Sequence, residues 1–154
     1  MKSSAVVVVL ALAAALSLTG CQAAQPDPDA FDSWITEQSE APSDALVSMV
    51  GTAADAAVIA ESSDTGIIAD FEAPTAVAGA EFSCFGAETM SVEIRILEES
   101  GALTVRTDDL VCADGAHPLE IASDGATRVG AEGYSEHGFG AWSLEVHSAS
   151  ETTN

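Results

Sequence analysis

The side chains that could support catalysis are three histidines and a large excess of carboxylates. His117 precedes a proline beside a turn, His137 lies in the Gly-flanked segment EHGFG, and His147 falls on the polar side of the last strand pattern. Nucleophilic catalysis needs a base within hydrogen-bond reach of a serine or a thiolate. No histidine lies in a G-x-S-x-G motif or beside a free thiol. We therefore predict no catalytic residue and a protein that is not an enzyme.

The carboxylates are too numerous for any one pair to mark a site. Asp108-Asp109 and Glu98-Glu99 fall in segments that we expect to be loops. No D-x-[DN]-x-[DN]-G run indicates a calcium loop. The histidines also lack the H-x₃₋₅-H spacing of a zinc site. We expect no metal site and no cofactor, with divalent-cation binding by the acidic surface as the alternative.

The charge balance restricts the partners. The chain has 25 acidic and 4 basic residues, for a formal net charge of −21, and loss of Lys2 would make it −22. The cations that then remain are Arg95, Arg106 and Arg128. Such a field disfavours nucleic acid and anionic lipid headgroups. We expect no nucleic-acid partner and a monomeric protein.

The first residues have the layout of a secretory signal. Lys2 precedes an apolar run from Ala5 to Leu18, which at about 14 residues is short for a membrane span of roughly 20. The L-T-G-C ending at Cys21 resembles the lipobox of bacterial lipoproteins. This resemblance implies that residues 1–20 are a signal peptide, and that Cys21 carries a diacylglyceryl group with acyl chains such as palmitate. It also implies a lipid-anchored protein on the outer side of the cell membrane.

With Cys21 assigned to lipid, Cys84 and Cys112 form an even pair in an oxidising compartment, so a disulfide is the default expectation. Neither has a second cysteine or a histidine at metal-ligand spacing. Cys84 shares strand parity with Phe82, and Cys112 shares it with Leu110. We therefore expect both sulfurs to face the core.

The start of the mature chain predicts a tether and a short helix. Residues 21–30 are proline-bearing and acidic, and we interpret them as a lipid-anchored linker. Phe31, Trp34 and Ile35 then share one helical face, and the helix should end near Glu40. We expect this helix to cover the core, with exposed aromatic contact to a wall polymer as the alternative.

The remaining residues, 31–154, are interpreted as a single domain. Residues 45–60 fit either a helix or strands, and we favour strands at about 46–50 and 56–61. The apolar residues of the later segments alternate with polar ones, as in half-buried strands. Asp124-Gly125 has the composition of a two-residue hairpin turn. These patterns predict an all-β fold, a small antiparallel β-sandwich of immunoglobulin-like or jelly-roll-like type.

One segment is a candidate ligand loop. Tyr134, His137 and Phe139 lie in the glycine-rich run GYSEHGFG, where we expect Tyr134 and Phe139 to be exposed. Trp142, in contrast, alternates with Leu144 and should be a core residue.

A family resemblance accompanies these patterns. The segments FSCFG (82–86), LVCADG (110–115) and AWSLEV (141–146) resemble small β-sandwich lipoproteins of high-GC Gram-positive bacteria. The resemblance implies fold and location but no activity. We predict a membrane-anchored, extracytoplasmic, non-enzymatic binding or envelope-interaction module of unknown ligand, with cell-wall or other envelope components as candidate partners. The alternatives are a divalent-metal-binding lipoprotein and a cell-wall hydrolase accessory protein.

Overall fold

The computed structural model describes residues 26–40, 44–57 and 66–148. The predicted all-β, mainly antiparallel fold with a short N-terminal helix is confirmed within these ranges. The elements are α1 (Pro28–Glu40), β1 (Val47–Thr52), β2 (Ala54–Asp55), β3 (Ile67–Phe85), β4 (Thr89–Glu98), β5 (Gly101–Val111), β6 (His117–Leu119), β7 (Ser123–Ser135) and β8 (Ala141–Ser148). A single 3₁₀ turn, Cys112–Asp114, follows β5.

The strands are hydrogen-bonded in the order β1-β8-β3-β7-β4-β5, while β6 pairs with β3 and β2 runs parallel to β7. The long strand β3 links the two parts of the sheet, because its first half pairs with β7 and its second half pairs with β8. Pro74 lies at a register irregularity in the β3–β7 ladder between Asp70 and Thr75. A proline is tolerated there because it has no N–H to donate to a ladder.

The core is built from the inward-facing residues of several strands. Phe82 on β3 and Trp142 on β8 stack at 6.4 Å between ring centroids, and both are buried. Ile94 and Ile96 on β4 belong to the same buried cluster. The predicted alternation along β4 and the core position of Trp142 are therefore confirmed.

Helix α1 begins at Pro28, so the predicted linker 21–30 is wrong at its end. The Asp27 carbonyl accepts the Phe31 N–H at 2.9 Å, and the Asp27 carboxylate accepts the Asp29 N–H at 3.1 Å. This is an N-cap with proline in the first helical position, where its missing N–H costs no hydrogen bond. The chain is therefore helical three residues before Phe31.

The helix covers part of the sheet, as the spacing of its apolar residues predicts. Trp34 stacks on Phe85 at 5.9 Å between centroids, and the Ser143 hydroxyl donates to the Gln38 side chain at 3.0 Å. These contacts hold α1 against β3 and β8. No helix in the described ranges has the length and hydropathy needed to cross a bilayer.

Several local predictions change. Ala56 and Ala57 form a turn rather than a strand, and residues 58–61 lie outside the described residues. The proposed hairpin turn at 124–125 is wrong, because both residues lie inside β7. The Ser123 hydroxyl accepts the Gly125 N–H at 3.3 Å, so the small residues form an irregularity within the strand. The chain therefore continues along β3 instead of reversing.

The acidic pair 108–109 is also in a strand rather than a loop. Both residues lie within β5, and Asp109 has a φ of 59°. The β4–β5 register shifts between Met90 and Val92, so an extra residue is accommodated opposite them. Such a bulge explains why an aspartate with positive φ is tolerated inside the strand.

Candidate functional site

The three residues of the predicted ligand loop do not lie together, because Tyr134 belongs to a strand and His137 and Phe139 follow it. Tyr134 is 2% exposed and lies in β7 between Ser91 of β4 and Ala54 of β2, so its predicted exposure is wrong. Its hydroxyl donates to the Glu132 carboxylate at 3.0 Å. Burial and this hydrogen bond raise the pKa of the Tyr134 hydroxyl above its ordinary value.

His137 and Phe139 are exposed in the turn between β7 and β8. The Ser135 hydroxyl donates to the Phe139 carbonyl at 2.7 Å, and the Gly138 N–H donates to the Ser135 carbonyl at 3.3 Å. Phe139 borders two shallow clefts, one of which also includes Phe31 of α1. One of these clefts is also lined by Glu88, Glu136 and His137, so polar side chains surround the exposed ring of Phe139.

The predicted disulfide is present. Cys84 and Cys112 are bonded with an S–S distance of 2.04 Å, and both contact the core. The His117 Nε2 lies 2.9 Å from the Val111 carbonyl, which ties β6 to the end of β5 beside the disulfide. His117 is therefore a structural residue here. Cys21, the predicted lipid site, lies outside the described residues.

The structure brings together residues that the sequence patterns do not single out. All three arginines of the chain project from the same, solvent-facing side of the sheet. Arg95 lies between the buried Ile94 and Ile96, and Arg128 precedes the buried Val129. Arg106 lies opposite Glu93 on the neighbouring strand. A chain with a formal charge of −21 therefore collects its arginines on one face.

A groove of about 120 Å³ lies on this face, and we call it the arginine groove. Gly130 of β7 is at its centre, with Ile68 of β3 in register on one side and Arg95 of β4 on the other. A Cβ added at Gly130 would lie 3.7 Å from an Ile68 carbon, so the missing side chain leaves an open floor. The lining residues are Ile67, Ile68, Glu93, Arg95, Leu97, Arg128, Gly130, Ala131 and Glu132.

The two ends of the arginine groove carry different groups, an arginine–aspartate ion pair at one end and two carboxylates at the other. At one end Arg128 pairs through Nε with Asp70, and its side chain is 45% exposed. At the other end Glu93 and Glu132 lie directly opposite each other on neighbouring strands. Facing like charges are unfavourable. Arg95 compensates in part, because its guanidinium bonds the Glu93 carboxylate at 2.6 Å.

This ion pair raises the pKa of Arg95, chiefly through its hydrogen bond with Glu93. Arg106 behaves similarly with Asp108, whose pKa is lowered first by the Arg106 hydrogen bond and next by Ser91. Arg106 also lies 5.9 Å from the centre of the Tyr134 ring. Arg106 is on the same face but does not line the arginine groove. A substitution at Arg106 can therefore serve as a control for a substitution of an arginine inside the groove.

The side walls of the groove are apolar. Ile68 is 53% exposed and Leu97 is 37% exposed, which leaves two large aliphatic side chains in contact with water. Leu97 lies in register with Arg128. An apolar wall beside a few oriented charges is the usual composition of a small-molecule site. The arrangement can bind and orient a small ligand.

The sequence contains a pattern for one wall of the arginine groove, but not for the groove as a whole. Glu93, Arg95 and Leu97 have the outward parity of a strand whose alternate residues are buried. Their convergence with Ile68 and Gly130 depends on β7 pairing with both β3 and β4, from which it is distant in sequence. Within residues 26–40, 44–57 and 66–148, no three His, Cys, Asp or Glu side chains are grouped to hold a metal ion.

Comparison with protein-family models, curated proteins and solved structures gave no match to this chain.

Proposed function

We propose that this protein is an extracytoplasmic binding protein, held at the cell membrane by lipid on Cys21, that takes a small polar ligand in the arginine groove. The lipid attachment is supported by the L-T-G-C sequence that ends at Cys21. The disulfide between Cys84 and Cys112 fits an oxidising compartment. The protein acts by binding rather than by catalysis.

The observation that carries the binding site is the concentration of arginines. Arg95 and Arg128 line one groove although acidic residues outnumber basic ones by 25 to 4. Guanidinium groups offer several N–H donors in a fixed plane, and they bind carboxylate and phosphate groups well. Ile68 and Leu97 supply an apolar surface beside these donors. A ligand with an anionic group and an apolar part would fit this combination.

A calorimetric screen tests the proposal. The protein purified from membranes in detergent is titrated with amino acids, short peptides, sugars and sugar phosphates. We expect at least one of them to bind, and its affinity to fall at least tenfold in Arg128→Gln. The matched control Arg106→Gln removes an equal charge from the same face but outside the groove, and should bind normally. Absence of binding to any compound, or equal effects of the two substitutions, would overturn the proposal.

A further inference from the structure

We infer that the ligand of the arginine groove is a zwitterion, a short peptide with free amino and carboxyl ends and an apolar side chain. This inference rests on the proposed function and specifies its ligand. It depends on the arrangement of charged groups along the groove, since one end presents the guanidinium of the Arg128–Asp70 ion pair and the other end presents two carboxylates.

The end with Arg128 would take the carboxylate. Arg128 lines the arginine groove, and Asp70 contacts its guanidinium at Nε. A guanidinium has five N–H donors in a fork geometry, so its terminal nitrogens can bond a second carboxylate while Nε holds the first. Asp70 thereby fixes the orientation of the guanidinium toward the ligand.

The acidic end would take the ammonium group. Glu93 and Glu132 face each other in register across β4 and β7, and the guanidinium of Arg95 lies beside them. A second cation placed between the two carboxylates reduces their repulsion. The Tyr134 hydroxyl donates to Glu132 and holds that carboxylate in position. An ammonium group is small and offers three donors, which suits two facing carboxylates.

The spacing of the two ends sets the length of the ligand. Arg128 and Glu132 are four residues apart on β7, which corresponds to about 13 Å along a strand. An extended tripeptide spans roughly 10 Å, which is shorter than this spacing. The side chains of Arg128 and Glu132 can reach across the remaining distance. The glycine floor at Gly130 admits a peptide backbone, and Ile68 and Leu97 can contact an aliphatic side chain.

Blocked peptides test the inference by calorimetry on the same detergent-purified protein. The probe is alanyl-leucyl-alanine, compared with its N-acetylated and its C-amidated forms. We expect the free peptide to bind, and each blocked form to bind at least tenfold more weakly. Arg128→Gln should weaken binding of the free peptide, but it should not further weaken binding of the amidated peptide. Glu132→Gln should weaken binding of the free peptide, but it should not further weaken binding of the acetylated peptide. The control for this substitution is Glu136→Gln, which lies outside the groove.

A third variant changes the shape of the arginine groove without changing its charge. Gly130→Val adds a side chain to the floor of the arginine groove, with its Cβ 3.7 Å from Ile68. Circular dichroism melting checks that the variant still folds. We expect this variant to lose binding of the free peptide. If the acetylated and amidated peptides bind as tightly as the free one, the zwitterion inference is wrong. If another compound binds in an Arg128-dependent manner and the peptides do not, the inference fails and the proposed function stands. If nothing binds, both fail.

Discussion

Cys84 and Cys112 lie 4.9 Å apart at their Cα atoms, although Cys84 is near the end of β3 and Cys112 follows β5. Two strands, β7 and β4, separate β3 from β5 in the sheet. In a flat sheet this separation would be about 14 Å, since neighbouring strands lie about 4.8 Å apart. The sheet must therefore curl so that its β5 edge returns to β3. This curvature encloses the core on one side and leaves the arginine groove on the outside.

The first prediction concerns this disulfide. The bond closes a loop with a sequence separation of 28 residues, so the chain-entropy relation gives about 3–4 kcal/mol of stabilisation. We expect the double variant Cys84→Ser/Cys112→Ser to lose stability of that order in urea unfolding. An unchanged unfolding midpoint would show that the cross-link does not stabilise the curled sheet.

The second prediction concerns a contact between a glycine and a tryptophan. A Cβ added at Gly133 would lie 2.4 Å from Trp142 Cδ1, far closer than atoms can approach. Trp142 cannot easily move, because its Nε1–H donates to the Thr52 carbonyl at 3.1 Å. We expect Gly133→Ala to lower the free energy of unfolding by roughly 1–3 kcal/mol through overpacking.

The matched control for this substitution is Gly125→Ala on the same strand, where an added Cβ meets nothing within 4 Å. Its free energy of unfolding should change little. Equal effects of the two substitutions would contradict the explanation by tryptophan packing. Fluorescence of the tryptophans during urea unfolding measures both variants.

The third prediction concerns alkaline pH. Tyr134 is the single tyrosine of the chain, so ultraviolet absorbance of tyrosinate reports it alone. Burial first, and the Glu132 hydrogen bond second, raise the pKa of its hydroxyl above the ordinary value of 10.0. The folded state therefore retains the proton at a pH where the unfolded chain has lost it. The resulting stability is fully present below pH 10.0 and is lost as the pH rises above that value.

We expect Tyr134 to resist ionisation in the native protein and to titrate normally in concentrated urea. Tyr134→Phe should remove the corresponding alkaline loss of stability. A tyrosinate titration that is identical with and without urea would show that the hydroxyl is not held by burial and Glu132.

The fourth prediction concerns attachment to the membrane. Cys21→Ser removes the sulfur that would carry the lipid, and two acyl chains are what make such anchoring stable. We expect the variant to lose incorporation of radiolabelled palmitate and to leave the membrane fraction. The Cys84→Ser/Cys112→Ser double variant should keep the label. Label retained by Cys21→Ser would place the acyl group elsewhere and contradict the proposed anchor.

The sequence predicts those features that depend on local alternation. Ile94 and Ile96 are buried because every second residue of β4 faces inward, and the parity of Cys84 predicts a sulfur at the core. The arginine groove could not be predicted in the same way. It depends on the register that places Ile68, Gly130 and Arg95 side by side, and local sequence does not determine such long-range pairing.

The error at Tyr134 has a related cause. Its neighbour Gly133 has the composition of a flexible loop, but this glycine is required because Trp142 packs against the strand at that point. Gly125 also lies within β7, beside Ser123, rather than in a turn, although no atom crowds its open side. A glycine can indicate close packing as well as a reversal of the chain.

The most direct test of the binding site is an NMR titration of isotope-labelled protein with alanyl-leucyl-alanine. We expect the largest amide shifts at Ile68, Arg95 and Gly130, with little change at His137 and Phe139 in the β7–β8 turn. These shifts should disappear in Gly130→Val. Shifts confined to the turn, or the absence of any shift at saturating peptide, would contradict the assignment of the arginine groove as the site of a short zwitterionic peptide.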